Sequence, residues 1–329
     1  MVNKPKISIV ISVYNGEGFL KKALRSIQNQ NFNHIEIIIV DDFSKDNSLN
    51  LIKELMKEDP RIKLLVNKEN KGALYTKTKG ILNAKGKYVM TLDVDDLYIS
   101  KYAFSTLYKE AEKYNLDILG FSSISHNNNI LNQNIKFLFN YESPIIFKPN
   151  ITQKMYYRNA NNTIERKRAV IWCFFIKTLL FIESIKEIDK KYLNRIMNVH
   201  DDMLLLFVLF KNAKSFKNIN QIFHIYFRRV ISKNPLIIFH NKLKEKNRAK
   251  NNCLAYLSYI EFLLYKTNDT IYDKQIASFE LKKSFLNTYC RNLKLIKQES
   301  INIFKMYLKN KYILNDVKKD ILSYIKTIS

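Results

Sequence analysis

The first 125 residues alternate between short apolar runs and segments whose apolar positions recur every three or four residues. Short runs rich in Ile and Val are typical of buried strands, and five of them follow one another: KISIVISV, IEIIIVD, IKLLVN, KYVMTLD and LDILGF. Between these runs lie segments whose apolar positions have the spacing of a helix. They run from about residue 72 to 84 and from about 102 to 114, and an earlier one contains Leu20, Ala23, Leu24 and Ile27. The pattern predicts strands that alternate with helices.

Such alternation predicts an α/β fold with a mostly parallel sheet that is covered by helices on both faces. In sheets of this kind, ligands bind beyond the carboxyl ends of the strands. All six glycines lie in the first 120 residues, where tight turns between strands and helices need them. We therefore expect the remaining two-thirds of the chain to consist mainly of helices and longer connections.

The chain is strongly basic, with 55 Lys and Arg against 30 Asp and Glu, a net charge of +25. This charge favours polyanionic partners: nucleic acid, an acidic membrane surface or a phosphate-bearing substrate. Because MVNKPK leads directly into a strand-like stretch with no signal-type apolar segment, we expect no secretory signal. No apolar run is long enough to span a bilayer without interruption. Three widely spaced cysteines suit free thiols. We expect a cytoplasmic protein.

Three carboxylates crowd the stretch TLDVDDLY, directly after a predicted strand. Side chains alternate between the two faces of a strand, so Asp93 and Asp95 are expected to point the same way, with Asp96 beside them. Like charges at such short spacing raise one another's pKa unless a cation neutralises them. The stretch therefore predicts a bound cation.

Two other predicted strands also end in polar residues. Asp41 and Asp42 close the second strand, and Tyr14 and Asn15 follow the first. A strand-end Asp often does no more than cap the next helix. Three strand ends with the same feature nevertheless favour a ligand site at one edge of the sheet.

Two longer stretches carry a family resemblance: SIVISVYNGEGFLKKALRSIQNQNFNHIEIIIVDDFSKDNS and, after it, NKGALYTKTKGILNAKGKYVMTLDVDD. In order and spacing they resemble the nucleotide-diphospho-sugar-binding half of the family 2 glycosyltransferases, which have the GT-A fold. The resemblance implies a nucleotide-sugar-binding half at residues 1–125 and an acceptor-binding, catalytic half at 126–235. A basic, mainly helical region then follows at 236–329.

The same resemblance implies roles in donor binding. Asp93 and Asp95 fall at the DxD motif, which in the family holds Mn²⁺ or Mg²⁺ against the donor diphosphate. Both ions are hard cations that prefer oxygen ligands. Asp42 resembles the Asp that bonds the nucleotide base, in a pocket lined by the chain near Ser12 and Tyr14.

Further positions near the donor match the family less closely. Phe43 stands where the family usually has Gly. Lys77 stands where many members carry an Arg near the base, and because Lys lacks the planar fork of Arg, the identity of the base is less defined. In HIYFRRV, Arg228 and Arg229 lie where relatives place a mobile basic segment over the donor phosphates. A solvated basic loop is an equal alternative.

An inverting transferase also needs a general base for the acceptor hydroxyl. The family commonly supplies it from an acidic pair ahead of an apolar helix. NVHDDMLLLFVLF offers Asp202 as the first candidate and Asp201 as the second, ahead of a helix from Met203. Acidic residues favour helix N-termini on electrostatic grounds as well, so a purely capping role stays open.

Residues 240–329 hold 18 Lys and Arg against 8 Asp and Glu, a net charge of +10, with apolar positions at helical spacing. Such helices suit packing on the catalytic domain, oligomerisation or peripheral contact with an anionic membrane, although the dispersed basic residues favour a solvated face. The resemblance implies a nucleotide-sugar donor and a saccharide, lipid-linked or protein hydroxyl as the acceptor. It leaves the sugar, the acceptor and the oligomeric state open.

The sequence thus predicts an inverting, metal-dependent transferase of a hexose or N-acetylhexosamine, with a UDP-linked donor. One alternative is a non-catalytic nucleotide-sugar-binding protein of the same fold. A second is a phosphatase with a DxD motif, although in that family the motif ends the first core strand and here it ends the fourth. A third is a nucleic-acid-binding protein, but no known module accompanies the basic charge, so we expect no nucleic acid as a partner.

Overall fold

The computed structural model describes part of the 329-residue chain: residues 4–127, 136–138, 142–147, 156–158, 164–166, 170–194, 196–197 and 201–228. These residues fall into two compact units. The second unit holds residues 156–158, 164–166, 196–197 and 201–204, and the first unit holds the others. The expected helical region at 236–329 lies outside the described residues, and the predicted boundaries at 125 and 235 stay predictions.

The front half of the first unit follows the predicted alternation of strands and helices. Its elements are β1 (Ile7–Val13), α1 (Glu17–Gln28), β2 (Ile35–Asp41), α2 (Ser48–Glu58), β3 (Ile62–Val66), α3 (Ala73–Leu82), β4 (Tyr88–Asp93), β5 (Leu97–Tyr98) and α4 (Ala103–Lys113). β1 pairs in parallel with β2 and β4, and β2 pairs in parallel with β3. The predicted α/β fold with a mostly parallel sheet is confirmed.

Further strands and helices follow α4 along the chain. They are β6 (Ile118–Asn127), β7 (Lys136–Leu138), β8 (Ile146–Phe147), β9 (Tyr156–Arg158), β10 (Ile164–Arg166), β11 (Phe174–Lys177), α5 (Thr178–Lys186), α6 (Lys190–Leu193), α7 (Asp201–Asn212) and β12 (Ser215–Arg228). The main sheet has the order β3-β2-β1-β4-β11-β6-β12-β5. β11 is antiparallel to both of its neighbours, whereas β12 is parallel to β6.

The expectation of a mainly helical chain beyond residue 120 is wrong for the residues that the structure describes. β11 and β12 lie inside the main sheet. Their glycine-free sequences, FFIK and SFKNINQIFHIYFR, are rich in the aromatic and β-branched residues that favour strands. Glycine marks tight turns, so its absence carries no information against strands.

In the second unit, β9 and β10 form a separate antiparallel pair. Tyr156 is paired with Arg166, and Arg158 with Ile164.

None of the helices within the described ranges is both long and apolar enough to cross a bilayer.

Helices cover both faces of the main sheet. On one face, alternate residues of β1 from Ile7 to Val13 join apolar side chains of α1, α2 and α4 in one buried cluster. On the other face, Gly80 of α3 lies against Val10 and Val40. A Cβ atom at residue 80 would overlap Val10, so the close approach of α3 to the sheet requires glycine at this position.

The substitution Gly80→Ala is expected to lower the free energy of unfolding by about 1–3 kcal/mol, because the added methyl group overpacks the contact with β1. Gly18→Ala in α1 is the matched control, since no heavy atom lies within 4 Å of its Cβ position. Alanine is the better helix former, so this control is expected to gain up to about 0.5–1 kcal/mol. Urea unfolding measures both changes, and a Gly80→Ala protein as stable as the parent would contradict the packing.

Candidate functional site

The carboxyl ends of β1, β2 and β4 meet at one edge of the sheet. In the strand register, Ser12 of β1 is level with Val40 of β2 and with Asp93 of β4. Tyr14 and Asp42 directly follow the first two strands. Tyr14 is 50% exposed and Asp42 is buried. The structure therefore brings together the residues that the sequence predicted at these three strand ends.

Asp42 holds the connection between β3 and α3. Its Oδ1 accepts hydrogen bonds from Asn67 Nδ2 and from the Lys71 N–H, both at 2.8 Å, and its Oδ2 accepts one from the Gly72 N–H at 2.9 Å. The carboxylate also lies at the N-terminal end of α3, where the helix dipole favours a negative charge. A carboxylate has about four acceptor positions, so Asp42 keeps room for one further donor.

Asn15 fastens the loop after β1 to the loop after β2. Its Oδ1 accepts a hydrogen bond from the Lys45 N–H at 2.7 Å, and its own N–H donates to Ser44 Oγ at 3.0 Å. The N–H of Gly16 donates to Ser48 Oγ at 2.9 Å. In this structure Asn15 thus fixes the position of both loops at the candidate donor site.

Phe43 lies in the second of these loops with a φ of 62°. This left-handed conformation costs an ordinary L residue about 1–2 kcal/mol. Lys45 Nζ lies 3.3 Å from the centre of the Phe43 ring, and a cation–π contact at an exposed site contributes about 0.5–1 kcal/mol. The residue is 39% exposed. The contact with Lys45 by itself thus contributes no more than the strain at Phe43 costs.

Both carboxylates of the predicted DxD motif are partly exposed at the end of β4. Asp93 Oδ1 lies 3.4 Å from Lys77 Nζ. The Lys77 side chain is 5% exposed, whereas that of Asp93 is 33% exposed. The sequence predicted Lys77 near the base; the structure places its ammonium group beside the first carboxylate of the motif.

Asp96 differs in its burial from the two partly exposed carboxylates of the same stretch. It is completely buried, and its Oδ1 accepts a hydrogen bond from the Phe227 N–H at 3.1 Å. Its Oδ2 lies 3.4 Å from Nε2 of His224, which is also completely buried. As predicted, Asp96 is near Asp93 and Asp95, whose charges act on it, but its own carboxylate is buried. The chain turns at this point, with a hydrogen bond of 3.0 Å from the Asp96 N–H to the Asp93 carbonyl.

The surroundings of Asp96 and His224 favour the uncharged form of both side chains. Ser123 Oγ donates to the His224 carbonyl at 3.0 Å and lies 2.9 Å from Nδ1, so we assign the ring proton to Nδ1. Burial, and then the charges of Asp93 and Asp95, raise the pKa of Asp96 to about 9. Burial lowers the pKa of His224 to about 3, although the same two charges oppose this effect. At neutral pH, Asp96 is therefore a carboxylic acid facing a neutral imidazole.

Aromatic rings enclose His224. Trp172 stacks on the imidazole with ring centres 4.2 Å apart, and Tyr98 meets it edge-on at 6.0 Å. Tyr226 stacks near Trp172, with ring centres 5.8 Å apart. This apolar enclosure is the physical cause of the desolvation that shifts the pKa of His224.

Sequence reasoning missed His224 altogether, although the stretch QIFHIYF contained a signal. His224 stands between Ile222 and Tyr226 at the alternate positions that share one face of a strand. An ionisable side chain within an apolar strand needs a polar partner. That need, together with the third carboxylate of TLDVDD, would have pointed to Asp96.

The predicted base candidates are the first two residues of α7. Asp201 and Asp202 are both buried, and they belong to the second unit. The helix begins two residues before Met203, the predicted start, so both carboxylates lie in its first turn. Arg228 ends β12, but its side chain and the whole of Arg229 lie outside the described residues.

The chemistry of the DxD carboxylates fits a hard divalent cation. The described part of the chain holds no group of three or more His, Cys, Asp or Glu side chains suited to a metal ion. Two partly exposed carboxylates suit a cation that keeps several waters and takes further ligands from substrate phosphates, as Mg²⁺ does. The residues that would hold such a cation are Asp93 and Asp95.

The substitution Asp96→Asn is expected to stabilise the protein progressively, relative to the parent, as the pH rises. Between pH 3.8 and about 9 the folded parent keeps a proton on Asp96 that the unfolded chain has released. The parent therefore loses stability relative to the variant by at most about 1.4 kcal/mol per pH unit. The pH dependence that His224 causes has the opposite sign. Its lowered pKa contributes stability above pH 6.5, and both proteins lose this contribution as the pH falls toward about 3.

Urea unfolding of parent and variant in buffer with EDTA, at several pH values from 6.5 to 8.5, measures this difference. Asp96→Ala is the comparison, because it removes the acceptor of the Phe227 N–H and should cost about 1–3 kcal/mol. If the free energies of unfolding of the parent and of Asp96→Asn change with pH in parallel, Asp96 is ionised in the folded protein and the prediction is wrong.

Comparisons with known proteins identify relatives of this chain. The family model described as glycosyl transferase family 2 matches residues 8–175, just over half of the chain. A Campylobacter jejuni protein, GalNAc(5)-diNAcBac-PP-undecaprenol beta-1,3-glucosyltransferase, is 37% identical over 127 residues, which are 38% of this chain and 41% of that protein. Glycosyltransferase GlyA of Streptococcus pneumoniae is 39% identical over 118 residues, 36% of this chain and 17% of that protein. The matches thus span less than half of either relative.

Solved structures share the fold at low sequence identity. TarS 1–349 of S. aureus in complex with UDP has a TM-score of 0.66 at 14% identity, over 98% of this chain and 87% of that chain. GalNAc-T7 with UDP, GalNAc and Mn²⁺ has a TM-score of 0.58 at 13% identity, over 91% of this chain and 55% of that chain. With the architecture of these glycosyltransferases, the GT-A fold, and with the family model matched over more than half of its length, the chain belongs to glycosyltransferase family 2.

Proposed function

We propose that this protein is an inverting glycosyltransferase that moves a hexose or N-acetylhexosamine from a UDP-linked donor to a hydroxyl acceptor, with Mn²⁺ or Mg²⁺ as its cofactor. The observation that carries the proposal is the meeting of Ser12, Asp42 and Asp93 at one edge of the sheet in a family 2 chain. The choice of UDP is supported by TarS, which was solved with UDP and with UDP-GlcNAc.

The proposed donor site divides into two parts. The nucleoside lies near Ser12 and Tyr14, with its base bonded to the remaining acceptor position of Asp42. The diphosphate lies toward Asp93 and Asp95, close to the buried ammonium group of Lys77. A divalent cation, when bound there, neutralises part of the diphosphate charge and makes it a better leaving group. Arg228 and Arg229 are proposed to contact the same phosphates.

Asp202 is the proposed general base, with Asp201 as the second candidate. The carboxylate accepts the proton as the acceptor O–H bond breaks, and the acceptor oxygen forms a bond to the anomeric carbon. The bond from that carbon to the β-phosphate oxygen breaks at the same time, and its electron pair leaves with the nucleoside diphosphate. Attack from the opposite side inverts the anomeric configuration.

A lipid-linked saccharide is the first acceptor to test. The name of the Campylobacter jejuni relative includes a saccharide linked to undecaprenyl diphosphate. The strongly basic chain also suits an acceptor with a diphosphate linkage. A free saccharide and a protein hydroxyl are the alternative acceptors.

A donor screen tests the proposed activity. UDP-, GDP- and dTDP-linked sugars are incubated with the protein and Mn²⁺, and release of the nucleoside diphosphate is measured with and without acceptor. UDP-hexoses or UDP-N-acetylhexosamines are expected to be consumed. Binding without turnover of any donor would favour the non-catalytic alternative, and no binding of any nucleotide would contradict the proposal.

Asp95→Asn is expected to weaken the Mn²⁺-dependent affinity for UDP by at least roughly 10- to 100-fold and to abolish turnover. Loss of a partner that only supports a metal ligand already has an effect of this size, and Asp95 is proposed as a direct ligand. Calorimetry with UDP, with and without Mn²⁺, measures the change. Glu58→Gln at the exposed end of α2 removes the same charge elsewhere and should bind as the parent does. Unchanged Mn²⁺-dependent affinity in Asp95→Asn would rule out the metal role.

Asp202→Asn is expected to leave UDP and Mn²⁺ binding intact and to lower the transfer rate by a factor of roughly 10² or more, because a general base acts only in the transition state. Asn caps a helix about as well as Asp, so a purely capping role predicts a normal rate. Asp201→Asn is the matched control. If Asp201→Asn is inactive and Asp202→Asn is active, the general base is Asp201. Normal transfer rates in both variants would exclude both residues as the general base.

A further inference from the structure

Phe43 combines backbone strain with an exposed aromatic ring at the candidate donor site. Its φ of 62° is the left-handed conformation that glycine adopts without steric cost. The other residues outside glycine with positive φ in the described ranges are Asn15 and Asn115, and Asn tolerates this conformation. A strained residue persists where the surrounding structure holds it, and such residues concentrate at functional sites.

Hydrogen bonds on both sides hold the backbone of Phe43 in place. On one side, the Asp42 N–H donates to the Val13 carbonyl at 2.8 Å. On the other, the Ser44 N–H donates to Asp41 Oδ2 at 3.1 Å. The backbone of Phe43 is therefore held in a fixed conformation beside Asp42, so little backbone flexibility is lost when a ligand binds to this residue.

The chemistry of the ring points to a flat, uncharged group. The Lys45 ammonium lies over the ring, and the residue remains 39% exposed to solvent. Aromatic side chains stack on nucleobases because every base has a π face. The neighbouring residue, Asp42, is the one proposed to bond the base edge.

We propose that Phe43 is a binding residue for the donor, on which the nucleobase stacks. The inference rests on the proposed function and adds a residue to its nucleotide pocket. Stacking does not discriminate between bases, so Phe43 strengthens the binding of purine and pyrimidine nucleotides alike. Any discrimination between them is left to hydrogen bonds such as those of Asp42.

Phe43→Gly tests the proposal, because affinity and stability should respond differently. Loss of a base–aromatic stack is expected to weaken UDP and GDP binding by roughly 5- to 150-fold. Binding of pyrophosphate with Mn²⁺ should not change, because it has no base. The free energy of unfolding should change much less than the affinity, because the strain that glycine relieves at φ 62° offsets the packing lost with the ring. Calorimetry and urea unfolding of the full chain measure these quantities.

Two further variants control the experiment. Phe43→Tyr keeps an aromatic ring and is expected to keep the parental affinity for UDP. Tyr102→Gly removes another exposed ring, 53% exposed with Lys101 Nζ 5.1 Å from its centre, and should bind UDP normally. Tyr102 lies near the C-terminal end of α1, where the Asn31 N–H bonds to the Lys101 carbonyl. Phe43 lies in a loop at the opposite end of that helix.

The outcomes separate this inference from the proposed function. A parent that binds UDP, with equal affinity in Phe43→Gly, would overturn the stacking role alone. Weaker pyrophosphate binding in Phe43→Gly, or weaker UDP binding in Tyr102→Gly, would also overturn it, since the effect would not be specific to the base. A parent that binds neither UDP nor GDP would overturn the proposed function and the inference together.

Discussion

The burial of Asp96 against His224 is the interaction on which the arrangement of the site depends. Three carboxylates within four positions repel one another strongly if all are ionised and unneutralised. The turn after Asp93 directs Asp96 inward, and the raised pKa of Asp96 removes one of the three charges. Two partly exposed carboxylates remain, and one of them has Lys77 beside it. The same contact connects the end of β4 to β12, through the Phe227 N–H and the His224 imidazole.

The position of α3 is the second constraint on the site. Gly80 allows the helix to approach β1 and β2, and the carboxylate of Asp42 accepts two N–H groups at the N-terminal end of the helix. Lys77 lies between these two points on the same helix. A buried ammonium group is costly without a negative partner, and the approach of α3 to the sheet brings Lys77 to Asp93. Packing on one face of the sheet thus sets the electrostatics at its carboxyl edge.

The two units carry different parts of the proposed chemistry. The described residues proposed to bind the donor belong to the first unit, where hydrogen bonds between the loops after β1 and β2 fix their positions. The proposed base, Asp202, belongs to the second unit. Donor binding and transfer are therefore expected to respond to separate sets of substitutions, as the variants at Asp95 and Asp202 would show.

The sequence by itself determined the α/β alternation of the front half and the polar strand ends at Tyr14, Asp42 and Asp93, because strand and helix periodicity are local properties of the chain. The DxD stretch and its neighbours also identified the family. Only the tertiary structure decided that β11 and β12 enter the main sheet, that Lys77 lies beside Asp93, and that Asp96 is buried against His224. These contacts join residues far apart in the chain, 128 positions apart for Asp96 and His224. Their partners, and the pKa shifts that follow from burial, are set by packing and not by any local pattern.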